Sequence, residues 1–302
     1  MRIGRAVFAG MGCLLAGIAA AQSSDDFSCK SGQAIVETTL AGVPAVLRVP
    51  EKITKSPIVL WHGFGPPDSE RALMEALPLD DVPAVKVYLG LPMFGARVLP
   101  EGMNELARRQ KEDLATLVFE PAVMGAAKEL PAVLKALEQH RCIKRGEAIG
   151  LFGFSAGGAA VLYALAEADV PISSAVTLNA STGLTASVNA YERATKGSYQ
   201  WTDASRRLAQ QSDAVGRVKD IAAGAPLPAL QIIHGADDAM LTPQIAVALR
   251  DALQPFYTDA KTTQRLQLTV VPGMAHAWTG ATTVEPLRSS IGAWFGTYLP
   301  AT

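Results

Sequence analysis

Short apolar runs alternate with stretches of helical period along most of this chain. Ala34 to Leu40 and Ala45 to Val49 flank Gly42-Val43-Pro44 and predict an opening hairpin. Pro57-Ile58-Val59-Leu60-Trp61 is almost wholly apolar and runs into His62-Gly63-Phe64-Gly65, as expected of a central parallel strand buried on both faces. Ser69 to Leu77 predicts a first helix and Ala84 to Leu89 the next strand. A long loop with Pro92, Met93, Phe94, Pro100 and Gly102 follows. Pro121 to His140 has a helical period despite Pro131, since Val123, Ala127, Leu130, Leu134 and Leu137 step by three or four. Ala148 to Phe152 predicts a buried strand, and Gly158 to Leu165 a helix packed through small residues. Further strands are predicted at Ile172 to Leu178, Leu227 to Ile233 and Leu266 to Val271. Helices are predicted at Gln244 to Leu253 and Val284 to Tyr298. This rhythm predicts the α/β class, with a mostly parallel central sheet and helices on both faces.

One stretch breaks the rhythm. Between Asn179 and Pro226 the chain is more polar and holds Tyr191, Tyr199, Trp201, Arg193, Arg206 and Arg207. A single crossover needs fewer residues, so 179–226 is expected to be a helical, cap-like insert over the C-terminal edge of the sheet.

The first residues read differently from the rest. Arg2 and Arg5 precede an apolar stretch from Ala6 to Ala20, and Ala19-Ala20-Ala21 ahead of Gln22 fits a small-residue cleavage site. The stretch is short for a membrane span and polar Ser23-Ser24-Asp25-Asp26 follows at once. The expectation is a signal peptide over 1–21, cut after Ala21, with no stable membrane anchor afterwards and a periplasmic or secreted domain over 22–302. Cys13 lacks the leucine and small-residue context of a lipoprotein site. Loss of Arg2 and Arg5 would leave 25 basic against 28 acidic residues, net −3. So weak a field points neither to nucleic acid nor to an anionic membrane surface. Cys29 and Cys142 remain, compatible in an exported chain with one disulfide and equally with two separate thiols. No cysteine or histidine pair has metal-ligand spacing, so no metal and no cofactor are expected.

The candidate chemistry centres on Gly153-Phe154-Ser155-Ala156-Gly157. This G-x-S-x-G pentapeptide lies between a predicted strand and a predicted helix, the setting of a nucleophile elbow. A serine hydroxyl needs a base to take its proton and a third group to orient that base. In this setting the chain order is serine, acid, histidine. His276 follows the strand Leu266 to Val271 and is the preferred base. His62 precedes the serine, His140 lies in a polar helix end and reads as solvated, and His234 stands beside the candidate acid, placed to brace it. The acid lies in His234-Gly235-Ala236-Asp237-Asp238. Asp238 is preferred, and Asp237 is expected to stabilise the turn or cap the helix after Pro243. Position 179 offers no carboxylate. Two backbone N–H groups are expected to receive an oxyanion, those of Ala156 and Phe64.

These residues together resemble the α/β-hydrolase superfamily from about Ala34 to the C-terminus. The motifs are H-G-x-G at 62–65, G-x-S-x-G at 153–157, H-G-x-x-D at 234–238 and G-x-x-H at 273–276. Within the superfamily the chain is most similar to secreted bacterial esterases around the dienelactone-hydrolase and prolyl-oligopeptidase-like groups. It departs from dienelactone hydrolases proper, whose nucleophile is cysteine, at Ser155. Ser155-Ala156-Gly157-Gly158 and His276-Ala277-Trp278 also resemble polyhydroxybutyrate depolymerases and feruloyl esterases, although Thr279 stands where they carry proline. The expectation is a serine hydrolase that cleaves a small or oligomeric carboxylic ester through an acyl-enzyme. Met93, Phe94, Tyr191, Tyr199 and Trp201 are the candidate lining of its substrate pocket. A peptidase or amidase with the same triad, and a non-catalytic binding protein on the same fold, are the alternatives.

Overall fold

The computed structural model describes residues 27–29, 32, 34–167, 169–259, 261–280 and 282–302. The expected signal peptide and its cleavage site lie outside the described residues. Eight strands form one sheet: β1 (Ala34–Leu40), β2 (Val43–Val49), β3 (Ile58–Trp61), β4 (Lys86–Leu89), β5 (Ile149–Phe154), β6 (Ile172–Leu178), β7 (Ala229–Gly235) and β8 (Leu266–Val271). Their spatial order is β1-β2-β4-β3-β5-β6-β7-β8. β1 and β2 pair antiparallel, as do β2 and β4, and every pair from β4–β3 to β7–β8 is parallel. Every residue of β3, β4, β5 and β7 is buried. Such near-continuous apolar runs are what strands covered on both faces require.

The helices are α1 (Glu70–Ala76), α2 (Met103–Leu114), α3 (Gly125–Gln139), α4 (Ala156–Glu167), α5 (Leu184–Thr195), α6 (Asp203–Ser212), α7 (Val218–Ile221), α8 (Gln244–Leu253) and α9 (Val284–Tyr298). The core divides into two layers. Val59, Leu151, Phe119, Leu130, Leu162 and Leu249 belong to one, and Leu60, Phe152, Leu73, Ile291 and Phe295 to the other. α1 and α9 therefore cover one face of the sheet, while α3, α4 and α8 cover the opposite face.

Two regions differ from expectation. α2 follows the predicted long loop directly, and its apolar face is reduced to buried Leu106 and Leu114. Ion pairs from Arg108 to Glu105 and Glu112, and from Arg109 to Glu105, support it instead at helical spacing. The chain then breaks at Asp113 (φ −158°, ψ 96°). The Asp113 carboxylate accepts the Ala115 and Thr116 N–H groups and starts a wide π-type turn over Ala115–Met124. Pro121 within that turn has no N–H to give to a regular helix. The predicted helix 121–140 is thus the end of this turn plus α3. The 179–226 stretch carries α5, α6 and α7. α5 and α6 pack on the Ala115–Met124 turn and α7 on α4, and a reciprocal Thr202–Ser205 capping box opens α6.

His140 is not the solvated side chain its polar flanks suggest. Its ring stacks on Phe27 at 4.1 Å and its Nδ1 donates to the Phe27 carbonyl at 2.9 Å. Cys29 and Cys142 are joined by a disulfide across 113 positions beside that stack. The segment before β1 is thereby fastened to the end of α3.

His62 fastens the end of β3. Fully buried, its Nδ1 donates to the Gly63 carbonyl at 2.7 Å while Nε2 accepts the Leu91 N–H at 3.1 Å. Both ring nitrogens are committed to a neutral imidazole, and burial pushes its pKa down to about 4.

Closing a loop of this length restricts the unfolded chain, so Cys142→Ser is expected to lower unfolding free energy by roughly 2–5 kcal/mol. Urea titration of the oxidised wild type against the variant measures it, and a change below about 0.5 kcal/mol contradicts the assignment. His62 makes stability acid-sensitive. Between its ordinary pKa of 6.5 and its folded value of about 4, the unfolded chain binds a proton that the folded chain refuses. Stability therefore falls as pH drops through that window. Between pH 7 and pH 4.5 the wild type should lose roughly 2–3 kcal/mol more than His62→Gln. Equal losses by urea denaturation at the two pH values would refute the linkage.

Candidate active site

Five neighbouring strands deliver the candidate residues at their C-terminal ends, where open α/β sheets bind ligands. β3 leads into Gly63 and Phe64, β5 into Ser155, β6 into Asn179, β7 into Asp238 and β8 into His276. The elbow is set by backbone crowding. Ser155 has φ +54°, a left-handed conformation that costs a side-chain-bearing residue about 1–3 kcal/mol. A Cβ on Gly153 would lie 2.1 Å from the Gly157 carbonyl oxygen, and one on Gly157 would lie 2.4 Å from the carbonyl oxygens of Trp61 and His62. Glycine at both positions lets α4 start directly against β3 and β5. The turn is held by the Ser155 N–H, which donates to the Leu178 carbonyl at 3.0 Å. The Ser155 carbonyl accepts the Ala159 and Ser181 N–H groups.

Ser155 Oγ lies 3.0 Å from His276 Nε2, and His276 Nδ1 lies 2.7 Å from Asp238 Oδ2. The Asp238 side chain is fully buried, whereas that of His276 keeps 17% of its surface exposed. Burial alone would raise the Asp238 pKa. Hydrogen bonds from His234 and His276 and the Leu241 N–H outweigh it and hold the carboxyl well below its usual range. Asp238 is thus an acceptor, so the imidazole proton sits on Nδ1 and leaves Nε2 free to accept from the Ser155 hydroxyl.

The remaining Asp238 contacts are internal. Oδ1 accepts the Met240 and Leu241 N–H groups at 2.9 and 2.8 Å. His234 Nε2 donates to the Leu241 carbonyl at 2.5 Å and stands 3.3 Å from Asp238 Oδ2, in the bracing position expected of it. Asp237 is exposed. Its N–H donates to the Met274 carbonyl, but it caps no helix, because α8 starts at Pro243 without a side-chain cap.

The Phe64 and Ala156 N–H groups have no carbonyl partner among the described residues. A Cβ on Gly63 would touch the Phe154 ring at 2.8 Å and Ser155 Cβ at 3.0 Å, so the Phe64 loop lies directly against the elbow. Phe64 stacks on Phe94 at 4.5 Å, and Met93 and Phe94 are buried beside it. Tyr191 and Tyr199 lie elsewhere. They line a cavity of about 670 Å³ with Gln110, Lys111 and Asp113, and none of Ser155, Phe64, Met93, Phe94 and Trp201 lines it. Tyr199 donates to Asp113 at 2.5 Å and packs edge-on against Trp201. The five expected pocket residues therefore fall into two groups.

Two participants escape a reading based on motifs. The Phe154 ring packs against both His276 and Trp278, at 5.3 and 6.0 Å between ring centres, and so contacts the loop that carries His276. Asn179 is buried at the end of β6 and bonds to both the acid and base loops. Its signal is a buried amide just past the end of a strand, which a search for carboxylates passes over.

The prolyl oligopeptidase family model matches residues 125–301, more than half of the chain. No curated protein sequence matches. Among solved structures the chain resembles TT1662 from Thermus thermophilus, with TM-score 0.65 and 19% identity over 87% of this chain and 98% of that one. It also resembles a Pyrococcus furiosus esterase, with TM-score 0.59 and 14% identity over 90% of this chain and 93% of that one. A puromycin-hydrolyzing peptidase of Mycobacterium tuberculosis matches with TM-score 0.59 and 17% identity over 88% of this chain but 39% of the peptidase. At these identities the likeness speaks to fold, and the family match speaks to descent. The eight-stranded sheet is that of an α/β-hydrolase, and the chain belongs to the prolyl oligopeptidase family of hydrolases.

Proposed function

We propose that this protein is an exported serine hydrolase that cleaves carboxylic esters through an acyl-enzyme. The observation that carries the reading is the continuous relay from Ser155 Oγ through His276 to buried Asp238, at 3.0 and 2.7 Å. Ser155 Oγ attacks the substrate carbonyl while His276 Nε2 takes its proton. Asp238 keeps the other ring proton on Nδ1 and stabilises the imidazolium that forms. The tetrahedral oxyanion receives the Ala156 and Phe64 N–H groups, each such donor typically contributing about 3–4 kcal/mol. His276 then gives its proton to the departing alcohol. Water activated by the same nitrogen releases the acid and restores Ser155.

Apolar walls beside the oxyanion loop favour an ester with a hydrophobic part. Phe64, Phe94 and Met93 are assigned to that wall: Phe64 stacks on Phe94, and the Gly63–Phe64 turn lies against Ser155. Tyr191, Tyr199 and Trp201, on or beside α5 and the segment before α6, are assigned to the outer approach, and the 179–226 stretch serves as the cap. Export is supported by the basic-then-apolar residues 1–21 and by the Cys29–Cys142 disulfide, a bond that persists in oxidising compartments. The family match favours a second reading, a peptidase or amidase using the same relay.

A fluorophosphonate probe should label the wild type at one site and leave Ser155→Ala unlabelled, whereas equal labelling would dismiss Ser155. Asp238→Asn should lower kcat by about 10⁴-fold through the wrong histidine tautomer. Asp237→Asn, whose side chain is exposed, should stay within about threefold of wild type. If Asp237→Asn suffers the larger loss, the acid is misassigned. Nitrophenyl esters of increasing acyl length, run against aminoacyl amides, separate the two readings. Higher kcat/KM on the amides would replace the ester assignment with the peptidase one.

A further inference from the structure

We propose that Asn179 is a positioning residue that locks the acid loop after β7 and the base loop after β8 into one register. The inference rests on the triad reading above and adds a component that none of the four motifs contains.

Asn179 is fully buried at the C-terminal end of β6. Its side-chain amide is completely used. Nδ2 donates to the Ala275 carbonyl at 3.0 Å and to the His276 carbonyl at 2.9 Å, and Oδ1 accepts the Gly235 N–H at 2.8 Å. Two carbonyls face the two-proton donor and one N–H faces the acceptor, so only one orientation of the amide satisfies all three. One partner is the backbone of the base itself. Another lies three residues before the acid, in the turn that carries it.

The position also reaches the nucleophile. Leu178, the preceding residue, accepts the Ser155 N–H at 3.0 Å, and the Asn179 N–H donates to the Ile233 carbonyl at 2.9 Å. Residues 178 and 179 thus contact the turns of Ser155, Asp238 and His276 at once. Two backbone bonds already join the acid and base turns directly, Ala236 N–H to the Val271 carbonyl and Asp237 N–H to the Met274 carbonyl. Both lie upstream of His276. The Asn179 Nδ2 contacts are the ones that reach residues 275 and 276, where the ring is aimed.

The residue type fits the geometry. Asn179 has φ +46°, a region that asparagine and glycine enter more readily than other residues. Aspartate would keep the shape and the acceptor for Gly235 but turn an oxygen toward two carbonyls. A relay whose heavy atoms are set by such contacts loses rate steeply when they move. A displacement of about 1 Å is enough for a loss on the order of 10²-fold.

The test uses Asn179→Gly, which keeps the backbone conformation, and Asn179→Asp, which keeps the shape. Active sites are counted by fluorophosphonate titration and turnover of a nitrophenyl ester is expressed per titrated site. The expected result for both variants is a fall in kcat per site on the order of 10²-fold with KM within about twofold, because Asn179 does not line the Phe64–Phe94–Met93 wall. A residue that only supports folding would lower the number of titratable sites and leave turnover per site unchanged, and that result overturns the proposal. A second readout is amide exchange over residues 235–241 and 272–278. Asn179→Gly should speed exchange in both segments, and unchanged exchange in either overturns the lock. If the wild type neither labels nor turns over, the hydrolase reading fails on its own, and the exchange measurement still decides the role of Asn179.

Discussion

The structure turns on the absence of side chains at Gly153 and Gly157. α4 begins so close to β3 and β5 that a methyl group at either position would overlap backbone oxygen. That crowding requires a sharp turn between β5 and α4, and the turn holds Ser155 at φ +54°. The local strain, about 1–3 kcal/mol, is offset by the Ser155 N–H bond to the Leu178 carbonyl, by the Ala159 and Ser181 N–H groups that donate to the Ser155 carbonyl, and by the buried strands on either side. The consequence is directional. The Ser155 hydroxyl leaves the strand at this turn and meets His276 Nε2, and the first N–H of α4, that of Ala156, follows it directly. The proposed nucleophile and the proposed oxyanion donor are two results of one packing constraint.

The same edge settles the electrostatics. Asp238 is buried deeply enough that desolvation alone would favour its neutral form, yet three hydrogen-bond donors converge on it, the His276 ring and the Met240 and Leu241 N–H groups, with the His234 ring 3.3 Å away. The carboxylate therefore stays ionised while sheltered from water, the state in which it orients an imidazole most firmly. His62 works the opposite way on the other side of the elbow. Burial keeps it neutral, and its two ring contacts tie the Gly63 carbonyl to the Leu91 N–H. His234 braces the loop of Asp238, His62 braces the Gly63–Phe64 turn, and His276 alone of these three keeps part of its side chain exposed.

How much of this was legible from the residues depended on whether the cause was local. The strands were readable because a doubly covered strand must be apolar at every position, as β3 and β5 are. The turn at Ser155 was readable because a sharp turn between strand and helix demands glycine at fixed offsets. α2 was not, since its support comes from Glu105, Arg108, Arg109 and Glu112 rather than an apolar stripe. Asp113 gave no warning either. Its break in the chain is visible only once its carboxylate is seen capping the Ala115–Met124 turn and accepting from Tyr199, 86 positions away. His140 looked solvated because its partner, Phe27, is 113 positions distant.

Distance in the chain also explains why the pocket was harder to read than the chemistry. Phe94 stacks on Phe64 because β4 and β3 are parallel neighbours, which brings the two loops together. Tyr191 and Tyr199 follow a different logic. They are drawn to Asp113 and the α2 end, so they shape a cavity that the triad does not line. Aromatic residues in a polar insert carry no information about which wall they join, because apolar burial is non-directional. A hydrogen-bonded carboxylate or a glycine at a backbone crossing does carry it, because only one arrangement satisfies the geometry. The residues of the proposed relay are directional in this sense, and those proposed for the substrate pocket are not.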